Sequence, residues 1–129
     1  MSRIRKFNPE GVETPAFYSH GVEVEASARM VFVSGQVGVA PDGSVAGDIA
    51  GQTKVAIENL KTVLAAAGMD TSDIVKSTIY LTDEANFEGF AAAGAPMLAQ
   101  PPAAVTLVYV KALASPALLV EIEAVAAIG

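Results

Sequence analysis

The run LLVEIEAVAAIG at the end of the chain constrains the fold more than any other segment. Val120, Ile122, Ala124 and Ala126 alternate with Glu121, Glu123, Val125 and Ala127. In a strand, alternate residues share a face, so both glutamates point one way and Val120 and Ile122 the other. Apart from the two acids, the strand is apolar on both sides. Such a strand belongs inside a sheet with one face under helices and the other polar or covered by another subunit.

The rest of the chain supplies those helices and partner strands. SRIRKFN and GVEVEAS alternate charged and apolar residues, as half-exposed edge strands do. MVFVSGQVGV is a third strand, interrupted by Ser34-Gly35, where a glycine marks a bulge or a close approach. After the PDGS turn, Asp48 is placed to cap a long helix ending at Gly68. Ile49, Ala56, Leu60, Val63, Leu64 and Ala67 form its apolar stripe, with Lys54, Glu58 and Lys61 opposite.

IVKSTIYLT reads as a strand with Ile74, Lys76, Thr78 and Tyr80 on one face and Val75, Ser77, Ile79 and Leu81 on the other. Thr82 or Asp83 caps a second helix, EANFEGFAAAGAPML, with Phe87, Phe90, Ala91, Gly94, Met97 and Leu98 as its stripe. Pro96 kinks or ends it. AAVTLVYVKAL and ALLVEIEAVAA are the last strands, joined by a turn near Ser115-Pro116. The order β-β-β-α-β-α-β-β predicts an α+β fold: a mixed sheet with two helices on one face. Its 129 residues, 52% hydrophobic, suit one domain over 1–129 with a sizeable core.

Several function classes lose support at once. No apolar stretch reaches the ~18 residues of a membrane span, so no membrane partner is expected. MSRIRKFNPEG lacks the apolar core of a secretory signal, and there are no cysteines. Both suit a cytoplasmic protein. A formal charge of −6 argues against nucleic acid as the main partner, leaving Arg3, Arg5 and Lys6 as a solvated edge. A lone His20 cannot build a histidine metal site. No Gly-x-Ser-x-Gly elbow supports a triad of Ser34, His20 and an acid. Asp42, Asp48, Asp70 and Asp73 have the spacing of turns and caps rather than of metal ligands. That leaves Glu121 and Glu123. A solvated face is the plain reading of both, although Glu121 is nearer the strand start and could reach a cleft rim, where a carboxylate positions water or shuttles a proton.

The segments FYSHGVEV, MVFVSGQVGV, DIAGQTKVAIENLKTVLAAAGM, DIVKSTIYLTDEANF and LLVEIEAVA, in this order, resemble the Rid family (YjgF-like, reactive intermediate deaminases) over nearly the whole chain. The resemblance implies a chorismate-mutase-like fold and a homotrimer with three clefts between subunits. Active members hydrolyse reactive imines or enamines to keto acids and ammonia, without a metal or organic cofactor. Carried over by position, Glu121 is the catalytic glutamate. Tyr18 and Ser34-Gly35 line the cleft, although Tyr18 also reads as a packing residue and Ser34-Gly35 as a bulge alone.

The family's substrate-binding arginine has no counterpart. Its position falls on Ala104 counted from Pro102-Ala103, or on Val105 counted from the last strand. The usual asparagine of the second helix is also replaced, with Ala91 near its place. Lys111 and Arg29 are the nearby cations. An Arg–carboxylate pair contributes roughly 1.5–3 kcal/mol, on the order of 10- to 150-fold in binding. The expectation is therefore a small-metabolite cleft, with Ala104 and Val105 among its lining residues, that lacks typical 2-imino acid deaminase activity. The alternatives are an imine or enamine deaminase with a different anchor, or a scaffold trimer. The acidic charge and single histidine give a ribonuclease little support.

Overall fold

The structure is a computed structural model that describes residues 3–97 and 99–129. Ser2, at the start of the first expected strand, and Leu98, in the second expected helix stripe, lie outside the described residues. The strands are β1 (Ile4–Phe7), β2 (Gly21–Val24), β3 (Arg29–Val37), β4 (Ile74–Leu81), β5 (Ala104–Tyr109) and β6 (Val120–Ile128). The helices are α1 (Ile49–Ala66) and α2 (Phe87–Gly94). β1 and β2 form an antiparallel ribbon. The main sheet runs β3-β6-β4-β5, antiparallel except for the parallel pair β4 and β5. This is the mixed α+β architecture that the element order predicts. Among the described residues, no helix is long and apolar enough to cross a membrane.

β6 lies between β3 and β4 because both its faces suit burial. Val120, Ile122, Ala124 and Ala126 are 0–4% exposed and pack under the helices with Leu60, Leu64, Ile79 and Leu81. α1 begins at Asp48, whose carboxylate accepts from the Gly51 amide at 3.0 Å, and stops at Gly68 with φ +72°. That is the capping chemistry expected at each end. Lys61 and Glu58 approach to 3.8 Å on the solvent side. An exposed pair of this kind contributes little.

Three details depart from the sequence reading. Val63 is 37% exposed, whereas Gln52 and Thr53 are buried on α1. The Gln52 amide nitrogen donates to the carbonyls of Ala46 (2.9 Å) and Ala117 (2.8 Å), and its oxygen accepts from the Leu119 amide at 2.8 Å. A polar side chain therefore ties two loops together by supplying partners to two carbonyls and an amide. In β4 the register slips between Ile74 and Lys76, so Ile74 joins the core with Ile79 and Leu81 while Val75 leaves it. A bulge shifts alternation by one residue, and strict alternation cannot anticipate it. The second helix is shorter than EANFEGFAAAGAPML suggests. 3₁₀ turns at Glu84–Asn86 and Ala95–Met97 flank α2, with Asp83 capping the first and Pro96 inside the second. Phe90 and Gly94 are buried, but Phe87 is 43% exposed.

Candidate functional site

Glu121 and Glu123 project from β6 onto the sheet face away from the helices, as their partial burial between buried neighbours requires. The two carboxylates differ in what they touch. Tyr80 on β4 is the register partner of Glu121, and its hydroxyl donates to Glu123 Oε1. The Tyr80 phenol is held above its ordinary pKa, first by this hydrogen bond, then by desolvation and by the negative charges of Glu123 and Glu121. Glu121 has no hydrogen-bond partner among the described residues.

Glu121 lies instead against the interruption in β3. The pairing of β3 with β6 slips between Val33 and Gln36, so Ser34-Gly35 is a bulge, one of the two outcomes the glycine suggested. The other also holds: a Cβ on Gly35 would lie 1.8 Å from Glu121 Oε2. Glycine at 35 leaves the space that the carboxylate fills. Gln36 Nε2 bonds the Ser34 carbonyl at 3.0 Å. Asn59 of α1 donates to Val37 and Val39 at 3.2 and 2.9 Å, which fixes the strand beyond the bulge.

Tyr18 is elsewhere. It is 38% exposed and meets His20 edge to face, with centroids 5.3 Å apart. The following Ser19 is buried, its amide bonded to Ala103 O at 2.8 Å and its hydroxyl to Pro102 O at 2.5 Å. The Tyr18 segment is thus stapled to the lead-in of β5. Ala104 pairs with Lys76, which pairs in turn with Val125, four residues from Glu121 along β6. At ~3.3 Å per residue that offset alone is about 13 Å. Within one chain, then, two groups form. Glu121, Ser34 and Gly35 meet at one end of the sheet, and Tyr18 and Ala104 lie toward the other. Val105 belongs to neither, because it packs against the helix-side core and lines a small apolar gap with Phe17, Ile74, Ser77 and Met97.

Several cations and acids near the sheet are occupied. Arg29 Nη1 caps α1 at Ala67 O (2.8 Å), and Lys76 donates to Thr106 Oγ1 (2.8 Å). Arg5 pairs with Glu23 at 3.2 Å, and Lys6 donates to Pro101 O at 2.7 Å. Lys111 is exposed beyond β5 and makes no ion pair among the described residues. His20 bridges loops through Asn8 and Glu13 O, so no triad with Ser34 forms. Asp42 and Asp70 accept from Ser44 and Ser72, which lowers both carboxyl pKa values. No group of side chains suited to a metal occurs among the described residues. A cavity of about 350 Å³ bordered by Lys6, Asp73 and Val75 lies at the far end of β6, beside Ala127 and Ile128.

Sequence reading did not single out Tyr80. Its signal was present in the strand alternation, which puts it on the same face as Thr78 and Lys76.

The fold and the bulge-glutamate arrangement define a class: small α+β proteins with two helices on a mixed sheet and an acid on the last strand. Residues 10–128 match the family model described as Endoribonuclease L-PSP. A RutC family protein of Pyrococcus horikoshii is 33% identical over 111 residues, 84% of this chain and 85% of that protein. The chain therefore belongs to the Rid/YjgF family. The structure of YyfB, a Rid family protein of unknown function from Yersinia pestis, is similar with a TM-score of 0.81. It is 36% identical, covering 96% of this chain and 98% of that one. A protein named putative reactive intermediate deaminase TdcF, from Escherichia coli strain K12, is 38% identical over 71 residues. That match spans 54% of this chain and 53% of TdcF, so the chain aligns with about half of that relative's length.

Proposed function

We propose that this chain is a homotrimer that binds small metabolites in clefts between subunits, with Glu121 as the functional carboxylate, and that it lacks typical 2-imino acid deaminase activity. The observation that carries this reading is that, among the described residues, the arginine position holds no cation, and of the nearby cations only Lys111, exposed beyond β5, is unpaired. Ala104 is uncharged, Val105 is turned into the core, and Arg29 and Lys76 are committed to Ala67 and Thr106.

Two observations support assembly. Phe32 and Met30 of β3 and Val108 of β5 are 75%, 44% and 38% exposed, an apolar load that a second copy of the same sheet would cover. The separation of the Glu121 and Ala104 groups is the second. A cleft containing both requires one group from each of two copies.

The test follows hydrolysis of imino acids generated in situ by an amino-acid oxidase, with wild type and Ala104→Arg. Inert wild type and active Ala104→Arg is the expected result. Turnover by wild type sinks the proposed lack of activity. It would favour the second reading, an imine or enamine deaminase with a different anchor, which draws on the free Glu121 carboxylate and the likeness to TdcF. Sedimentation gives the mass directly, and a monomer would remove the intersubunit cleft from both readings.

A further inference from the structure

We propose that the cavity between β1 and the far end of β6 is a second ligand site, built for a free α-amino acid with an apolar side chain. Lys6 takes the carboxylate, Asp73 the ammonium, and Ile4, Val75 and Ile128 the side chain. The inference goes beyond the reading of Glu121 and does not depend on it.

The cavity measures about 350 Å³, within the ~300–1,000 Å³ of small-molecule sites. It is bordered by Ile4 and Lys6 of β1, by Asp73 and Val75 around the start of β4, and by Ala127 and Ile128 of β6. Ala127 is six residues beyond Glu121, about 20 Å along the strand at ~3.3 Å per residue. Tyr18, Ala104 and Glu121 do not border the cavity. The alternation of β1 sends Ile4 and Lys6 to it and Arg5 and Phe7 to the opposite face, where Arg5 lies over the Phe7 ring and pairs with Glu23. The register slip that takes Val75 out of the core brings it here.

An ammonium has three N–H donors, and Lys6 gives one to the Pro101 carbonyl at 2.7 Å. No carboxylate reaches ion-pair distance of Lys6 among the described residues. Burial lowers its pKa, and the charge of Asp73 only partly offsets that. A cation so placed gains from an anion that supplies the hydrogen bonds its own chain does not. Asp73 accepts from the Asp70 amide through Oδ2 at 2.9 Å, and an ionised carboxylate accepts at about four positions. One positive and one negative group beside apolar side chains match a zwitterion. A plain carboxylate would meet the charge of Asp73 without offering it a partner, and a plain amine would do the same to Lys6.

The test compares L-norleucine with hexanoate, which lacks its amine, and with pentylamine, which lacks its carboxylate, by NMR shift titration. Wild type is expected to bind norleucine at least about 10-fold tighter than either, the lower end of what one charge-assisted hydrogen bond contributes. The shifts are expected at the amides of Lys6, Val75 and Ile128. Lys6→Met is expected to bind norleucine no tighter than pentylamine. Asp73→Asn, whose amide oxygen still accepts from Asp70, is expected to bind it no tighter than hexanoate. Unchanged melting would show both variants folded, and the wild-type comparison stands without them. Hexanoate or pentylamine binding as tightly as norleucine overturns the zwitterion assignment. A preference for norleucine that survives both substitutions overturns the roles of Lys6 and Asp73. Shifts centred on Gly35 and Glu121 would move the ligand to that end of the sheet and overturn this site, as would the binding of no probe.

Discussion

β6 carries two unlike surfaces on one backbone. Toward the helices, Val120, Ile122, Ala124 and Ala126 are nearly or fully buried among Leu60, Leu64, Ile79 and Leu81. Away from them, Glu121, Glu123 and Val125 are half-buried and face Tyr80, Thr78 and Lys76 across the β4 ladder. The inner surface is satisfied by its own chain. On the outer one, Glu123 has a hydrogen-bond partner, Glu121 has none among the described residues, and Phe32, across from Val125, stands 75% exposed. Burial is thus concentrated on one face, and unpaired polar and apolar surface is left on the other.

The sharpest way to break this contrast is to truncate both faces. Ile122→Ala opens a cavity in the core and is expected to cost about 2–5 kcal/mol. Val125→Ala, on the half-open face of the same strand, is expected to cost clearly less. Equal losses in urea melts would mean the outer face is as well packed as the inner. Gln52→Leu comes next. It orphans the Ala46 and Ala117 carbonyls and the Leu119 amide, and each buried group left unpaired costs roughly 1–3 kcal/mol. Movement of the 117–119 loop partly relieves that cost by admitting water. A stability within error of wild type would show that the loop solves the problem unaided.

The inner face was legible in the sequence because packing leaves a period. Apolar residues at helical spacing along α1 and at alternate positions along β6 mark burial, and Asp48 and Gly68 mark where α1 starts and stops. What hid was local and polar. The slip at Val75 inverts two residues of β4 without a glycine or proline to announce it. Gln52 looks like one more surface amide until the loops it joins are brought together. In the site, Ser34-Gly35 and Glu121 could be named separately, but only the bulge brings them into contact. Ala104 and Val105 were adjacent choices in sequence, yet a strand sends neighbours to opposite faces, and the pairing with Lys76 decides which one is available.

Gly35→Ala sharpens the comparison at smaller cost. The new methyl would overlap the end of the Glu121 side chain at 1.8 Å. A carboxylate end can swing away, so the stability loss is expected to stay under about 1 kcal/mol, within the range of ordinary point changes. The position of Glu121 is lost all the same, and ligand affinity or turnover is expected to fall as far as in Glu121→Gln. If Gly35→Ala instead unfolds the protein readily, the bulge backbone and not the carboxylate fills that space.

The smallest effect is a pH dependence, and it separates the faces once more. The Tyr80 phenol is pulled up by Glu123, so its contribution is present below the ordinary tyrosine value of about 10 and is lost as pH rises through the raised folded value. Asp42 and Asp70 behave oppositely. Their lowered carboxyls contribute above about 4, and that contribution disappears as pH falls through the lowered folded values. Asp42 and Asp70 are solvent-exposed and Tyr80 is half-buried, so each step is small. Phenolate absorbance near 295 nm follows the tyrosines directly. Tyr80→Phe should remove a component that titrates above the ordinary tyrosine value. If the component lost in Tyr80→Phe titrates at the ordinary tyrosine value of about 10, the phenol is not held by Glu123, and the two carboxylates of the outer face are equivalent after all.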